Sequence, residues 1–262
     1  MRVLITTSIF PPDIGGPATY VPTMARSLHD RGHSVSVVTT SNSPNSIALD
    51  DDYPFEIVRI SRKVNRPKRT FRLLRSIIEL GRTADVIFAN SISMPEPCIA
   101  ASLIKKPLVL KVVGDSAWEF ALRRGWSSLE FEDFQNSWAS WPSETLKRLR
   151  SFHAGKARLI IVPSRYLAGI VESWGVPPNR IRVIHNAVEP LDDVVTEAIP
   201  LDTAIKIAMV GRLVTWKNVV AVIETLAEIE NVGLVIVGEG PEKPRLQDAV
   251  RELNVFIGVS FP

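Results

Sequence analysis

Short runs of aliphatic and β-branched residues recur along the chain, separated by stretches long enough for amphipathic helices. The runs are VLITTS (3–8), VSVVTT (35–40), EIVRIS (56–61), DVIFANS (85–91), LVLKVV (108–113), LIIVPS (159–164) and IRVIHNAV (181–188), then IKIAMVG (205–211) and LVIVGEG (234–240). Most lack polar alternation, as do strands covered on both faces. Between the first two, Val21, Met24, Ala25 and Leu28 share one helical stripe, and Gly32 stops the helix. This pattern predicts an α/β chain with doubly wound parallel sheets.

The rhythm breaks at EPLDDVVTEAIPLDTA (189–204), an acidic segment with two prolines and no sustained period, which reads as a linker. The first domain is then 1–188. The remainder of the chain, 205–262, holds two strand–helix units and a third strand, VFIG at 255–258. So small a sheet leaves faces and edges uncovered, so this second domain is expected to be partial.

At 262 residues and 45% hydrophobic residues the chain can bury a substantial core, yet no apolar run reaches the roughly 18 residues of a membrane span. MRVLITTSIFPP does not read as a signal peptide, and none is expected, because prolines interrupt its short apolar run. A lone cysteine, Cys98, excludes an internal disulfide and a zinc cluster, which fits a reducing cytosol. The net charge of +3 is mild, but basic residues crowd 59–82, with Arg59, Arg62, Lys63, Arg66, Lys68 and Arg69 leading the run. That stretch suits anionic headgroups, a phosphorylated acceptor or nucleic acid, or is simply a solvated face. No aromatic-interleaved basic motif or zinc spacing supports nucleic acid.

Ligands of open parallel sheets bind beyond the carboxyl ends of the strands. After the first strand comes FPPDIGGPATY, with Gly15 and Gly16 ahead of a helix start near Pro17. Glycines there serve either the turn itself or the approach of backbone amides to an anion. After LVLKVV comes Asp115, either a helix cap or a carboxylate for sugar hydroxyls, and Trp118 is either core or a stacking platform. Arg212 ends the IKIAMVG strand and Lys217 stands five residues on at a helix start, an ordinary surface pair or a diphosphate clamp. Glu239-Gly240 forms a tight turn whose amides suit a nucleotide. His29, His33, His153 and His185 lie at no metal-ligand spacing and read as structural, so no metal is expected. No dinucleotide fingerprint, Walker loop or nucleophile elbow is present.

Four stretches taken in order resemble the glycosyltransferases of family four: PPDIGGPATYVPTMARSLHDRGHSVSVVTT (11–40), VPSRYLAGIVESWGVPPNRIRVIHNAVE (162–189), MVGRLVTWKN (209–218) and LVIVGEGPEKPRLQ (234–247). GDSAWE (114–119) and EDFQ (132–135) are similar to one subset. The resemblance implies the GT-B fold: an N-terminal Rossmann-like acceptor-side domain and a C-terminal domain for a nucleotide-sugar donor. It implies transfer of a sugar from a nucleotide-diphosphate sugar, with retention, to a glycan, lipid-linked sugar or polysaccharide precursor of the cell envelope. Neither a metal nor another cofactor is implied.

By the same resemblance Arg212 and Lys217 hold the donor diphosphate, with Gly15, Gly16, Glu239 and Gly240 also on the donor. Asp115 contacts the transferred sugar as the catalytic position, and Asp13 and Tyr20 touch the acceptor. Two positions depart from the family, Asp115 where a histidine is common and Ala187 where a glycine follows Asn186. The family's glycine-rich segment with two glutamates is absent, so the donor domain is expected to be truncated and a partner chain would supply the missing contacts. The alternatives are a non-catalytic relative and a nucleotide-sugar 2-epimerase. The expected location is cytoplasmic, peripheral to the inner face of the membrane through 59–82.

Overall fold

The computed structural model describes residues 1–42, 50–187 and 203–253. The chain divides into two compact units, Met1–Val188 and Glu189–Pro262. All of the segment expected as a linker except 203–204, and the strand expected at 255–258, lie outside the described residues.

The first unit alternates strand and helix: β1 (Arg2–Thr6), α1 (Gly16–Asp30), β2 (Ser34–Ser41), β3 (Glu56–Ser61), α2 (Arg66–Thr83), β4 (Val86–Ala89), α3 (Glu96–Leu103) and β5 (Leu108–Lys111). Three helices come next, α4 (Ser116–Arg123), α5 (Phe131–Asn136) and α6 (Trp141–Lys156), then β6 (Leu159–Val162), α7 (Arg165–Ser173) and β7 (Ile181–Val183). The strands form a parallel sheet in the order β3-β2-β1-β4-β5-β6-β7. The order reverses at β1, so the loops after β1 and β4 open at a topological switch point, where such sheets take ligands.

Register assigns each residue a face. Leu4, Ile87 and Leu108 align across β1, β4 and β5, Leu110, Ile160 and Ile181 align across β5, β6 and β7, and all six pack under α2, α3 and α7. Their neighbours Val3, Ile5 and Phe88 face the other way, against Val21 and Ala25 of α1. A fully buried isoleucine such as Ile77 or Ile87 stabilises the fold by about 1.5–3 kcal/mol. Two predicted strands are shorter than their apolar runs. The strand expected at 108–113 ends at Lys111, and the one expected to 188 ends at Val183, so His185 lies in a loop with its Nδ1 2.8 Å from the Pro163 carbonyl oxygen.

The second unit pairs β8 (Ile205–Val210) with β9 (Val232–Val237) in parallel, and α8 (Val219–Ala227) and α9 (Lys243–Glu252) come after them in turn. Its core is Leu213, Val219, Ile223, Leu226, Leu234, Ile236 and Leu246.

Candidate functional site

In the first unit the glycine loop is built by helix geometry and held by two arginines. Gly15 is the N-cap of α1 at φ 146°, a conformation side chains avoid, and a Cβ there would lie 2.9 Å from Ile9 Cδ1. A Cβ at Gly16 would meet nothing within 4 Å, so the first turn of α1 is open on that side. No side chain caps this helix, and its first turn carries no acid, which leaves the positive end of the dipole unneutralised.

Arg59 and Arg62, at the end of β3, tie that loop down. Arg59 donates to the Pro11 carbonyl at 2.7 Å and pairs with Asp50, its guanidinium lying 5.3 Å from the centre of the Phe10 ring. Arg62 donates to the carbonyls of Ser8 and Thr40, to Thr40 Oγ1, and to Asp13, whose Oδ2 is 2.5 Å from Nη2. Two cations of the basic run are therefore internal ties, not surface charge. Asp13, expected at the acceptor, has its carboxylate engaged by Arg62.

Asp115 is also placed differently from expectation. It ends the loop after β5 as the N-cap of α4, accepting from the Ala117 amide at 2.9 Å. Its carboxylate is enclosed, ion-paired with Arg150 of α6 and bonded by Gln135 Nε2 at 2.9 Å. Gln135 Oε1 in turn accepts from the indole of Trp174 at 3.0 Å, and the Arg150 guanidinium stacks 4.2 Å from that ring. Burial pushes the Arg150 guanidinium down, while Asp115 pulls it up. The carboxylate expected at the transferred sugar thus has no solvent-facing surface and three donors, and in this structure Asp115 serves as a helix cap and ion-pair partner. Trp118 donates to the Leu129 carbonyl at 3.0 Å and packs on Phe131, within a small satellite core.

Tyr20 lies one turn below Gly16 on α1, and its ring receives the Lys111 ammonium 3.3 Å from its centre. Lys111 is 4% exposed and donates to Asn186 Oδ1 at 2.9 Å. Burial pushes its pKa down, and burial pushes the Tyr20 hydroxyl up. Sequence reasoning missed Lys111, although a charged residue inside LVLKVV was its signal. Nothing in sequence marked Arg150, whose partner lies 35 positions away.

In the second unit the loops after β8 and β9 are woven together. The Leu213 amide donates to the Glu239 carbonyl at 2.9 Å, and the Glu242 amide donates to the Leu213 carbonyl at 3.1 Å. A Cβ at Gly238 would sit 1.8 Å from the Gly211 carbonyl oxygen, and one at Gly240 would sit 2.0 Å from that of Leu213. Gly240 is thus required by the neighbouring loop, which explains the glycine without a nucleotide. The Glu239 carboxylate pairs with Lys243 at 2.6 Å. Arg212 and Lys217 are both exposed, and neither side chain has a hydrogen bond or ion pair among the described residues. Lys217 ends a single 3₁₀ turn ahead of α8, whose N-cap, Asn218, is left-handed at φ 48° and provides no side-chain cap. Two cations without partners among the described residues therefore stand on the loop between β8 and α8, Arg212 two residues past the strand and Lys217 just ahead of the helix. Among the described residues no group of three or more His, Cys, Asp or Glu could hold a metal ion.

Two family models match the chain. The model described as "Glycosyl transferase 4-like domain" covers residues 15–187, and the one described as "Glycosyl transferases group 1" covers 196–262. No curated protein sequence matches. Among solved structures, Anabaena Alr3699/HepE in complex with UDP and glucose is similar at a TM-score of 0.71 and 17% identity, over 100% of this chain and 69% of that one. The lipopolysaccharide outer core galactosyltransferase WaaB is similar at 0.64 and 12%, over 100% and 68%. A putative UDP-N-acetylglucosamine 2-epimerase from Listeria monocytogenes is similar at 0.59 and 16%, over 100% and 69%. At these identities the likeness shows a shared GT-B fold.

Proposed function

The chain belongs to the glycosyl transferase 4-like family, and on that footing we propose that it transfers a sugar from a nucleoside diphosphate sugar to a glycan or lipid-linked sugar acceptor, with retention at the anomeric carbon. The observation that carries this reading is the pair of exposed cations, Arg212 and Lys217, without partners among the described residues on the loop between β8 and α8. As the glycosidic bond breaks, negative charge develops on the departing diphosphate. A guanidinium fork and an ammonium fixed near it lower that barrier, because they need little reorganisation when the charge appears. The uncapped start of α8 adds its dipole to theirs. These groups supply the neutralisation in this mechanism, which invokes no metal.

The first unit takes the acceptor side, with the open first turn of α1 at Gly16 available to a phosphate or a hydroxyl. The UDP bound by HepE supports a uridine nucleotide as donor, and the lipopolysaccharide galactosyltransferase role of WaaB supports an acceptor among cell-envelope glycans. Calorimetric titration with UDP tests the site. Arg212→Ala and Lys217→Ala should each weaken binding by about tenfold, or 1.4 kcal/mol, and unchanged affinity in both would overturn the assignment.

A further inference from the structure

Helices α2, α3 and α6 form one layer over the first unit's sheet, with α3 packed against both of the others. The inward side of α6 is ordinary: Ser143, Lys147, Arg150 and Ala154 are buried. Its outward side is not. Trp141, Thr145, Arg148, Leu149, Phe152 and Lys156 are all exposed, and at 3.6 residues per turn they fall within an arc of about 100°. Trp141 is 74% exposed and Phe152 is 58% exposed. The Lys156 ammonium sits 5.1 Å from the centre of the Phe152 ring.

A second stripe runs along α2, where Leu73, Ile77 and Gly81 face the core. Lys68, Phe71, Arg72, Arg75, Glu79 and Arg82 face solvent, again within about 100° of arc. Phe71, 65% exposed, stands among four cations, and the single carboxylate, Glu79, is already bound by Arg75 at 2.7 Å. Large apolar side chains standing in water on the two helices that flank α3 mark a surface that meets something. The charge beside them is cationic on both stripes, which selects an anionic occupant.

We propose that this helix layer docks on an anionic lipid bilayer. Trp141, Leu149, Phe152 and Phe71 enter the headgroup region, while the Lys and Arg side chains meet lipid phosphates. No helix among the described residues is long and apolar enough to cross a membrane, and the contact proposed is a peripheral one. The inference goes beyond the transfer reaction and does not depend on it, since lipid binding needs neither donor nor acceptor.

Co-sedimentation of the full chain tests it, with vesicles of phosphatidylcholine alone and of phosphatidylcholine and phosphatidylglycerol mixed two to one. The chain should partition strongly onto the mixed vesicles only. Trp141→Ser with Phe152→Ser should lower that partitioning by about tenfold and leave its salt dependence. Arg72→Ser with Arg82→Ser should lower it and flatten the salt dependence. All four side chains are exposed, so thermal melts should match the parent and exclude misfolding. Equal partitioning onto both vesicle types, or unchanged partitioning by both variants, would overturn the proposal. So would light scattering that shows a dimer which the α6 variant dissociates without any change in vesicle binding, since the face would then serve a second copy.

Discussion

Lys111 and Tyr20 form a cation–π pair, with the buried ammonium 3.3 Å from the centre of the half-buried ring. Burial lowers the pKa of Lys111 below its usual 10.5. The unfolded chain therefore holds a proton that the folded chain gives up, in the window between the lowered value and 10.5. Within that window stability rises with pH, because the cost of burying the charge is relieved. Lys111→Met removes the titrating group at similar volume. Urea denaturation from about pH 8 to pH 10.5 should show the stability of the parent, relative to this variant, climbing with pH. A flat or falling difference would mean that the ring and Asn186 hold the charged form more strongly than burial disfavours it.

Asp115 and Arg150 are a buried ion pair, and removing one partner strands the other. Asp115→Ala should cost about 3 kcal/mol or more, read as a lower urea midpoint with the slope unchanged. Arg150 already has its Nε buried without a partner, so it has no spare bond to fall back on. An Asp115→Ala chain as stable as the parent would return the residue to candidacy for direct sugar contact.

Arg62 holds the glycine loop through its bonds to Ser8, Thr40 and Asp13. Arg62→Ala should speed amide hydrogen exchange in residues 8–16 by about tenfold, while the strands β4 to β6 keep their protection. Exchange rising evenly through the unit would show a general loss of stability instead of a released loop.

Two glycine substitutions should act in opposite directions. Gly238→Ala drives a methyl group into the Gly211 carbonyl and should destabilise the second unit by about 3 kcal/mol. Gly169→Ala, in the exposed face of α7 with nothing within 4 Å of the new carbon, should stabilise by about 1 kcal/mol. Denaturant midpoints measured on the two variants check both signs.

Much of the first unit's fold was legible because its strands are apolar on both faces and its helices carry a single apolar stripe. Legibility failed where a strand emerges from its neighbours. Val112 and Val113 continue the apolar run, yet β5 ends at Lys111 because its pairing to β6 stops there. The glycine loop could be located from its residues, but not what holds it, since Arg59 and Arg62 look like any other members of a basic run. Asp115 offered two readings at one spacing, cap or contact. The choice turned on Gln135 and Arg150, which are brought to it by folding and not by proximity in the chain. Arg212 and Lys217 could be singled out together because strand end and helix start sit five residues apart, a local relationship that needs no long-range partner.

The weave of the second unit has a practical reach for protein engineering. Gly238 and Gly240 lie so close to the backbone of Gly211 and Leu213 that neither loop has a shape of its own. A transplant of residues 211–218 from a relative, made to alter sugar preference, would meet a foreign partner across that contact. The segment 238–242 has to travel with it, and the two behave as one exchangeable cassette.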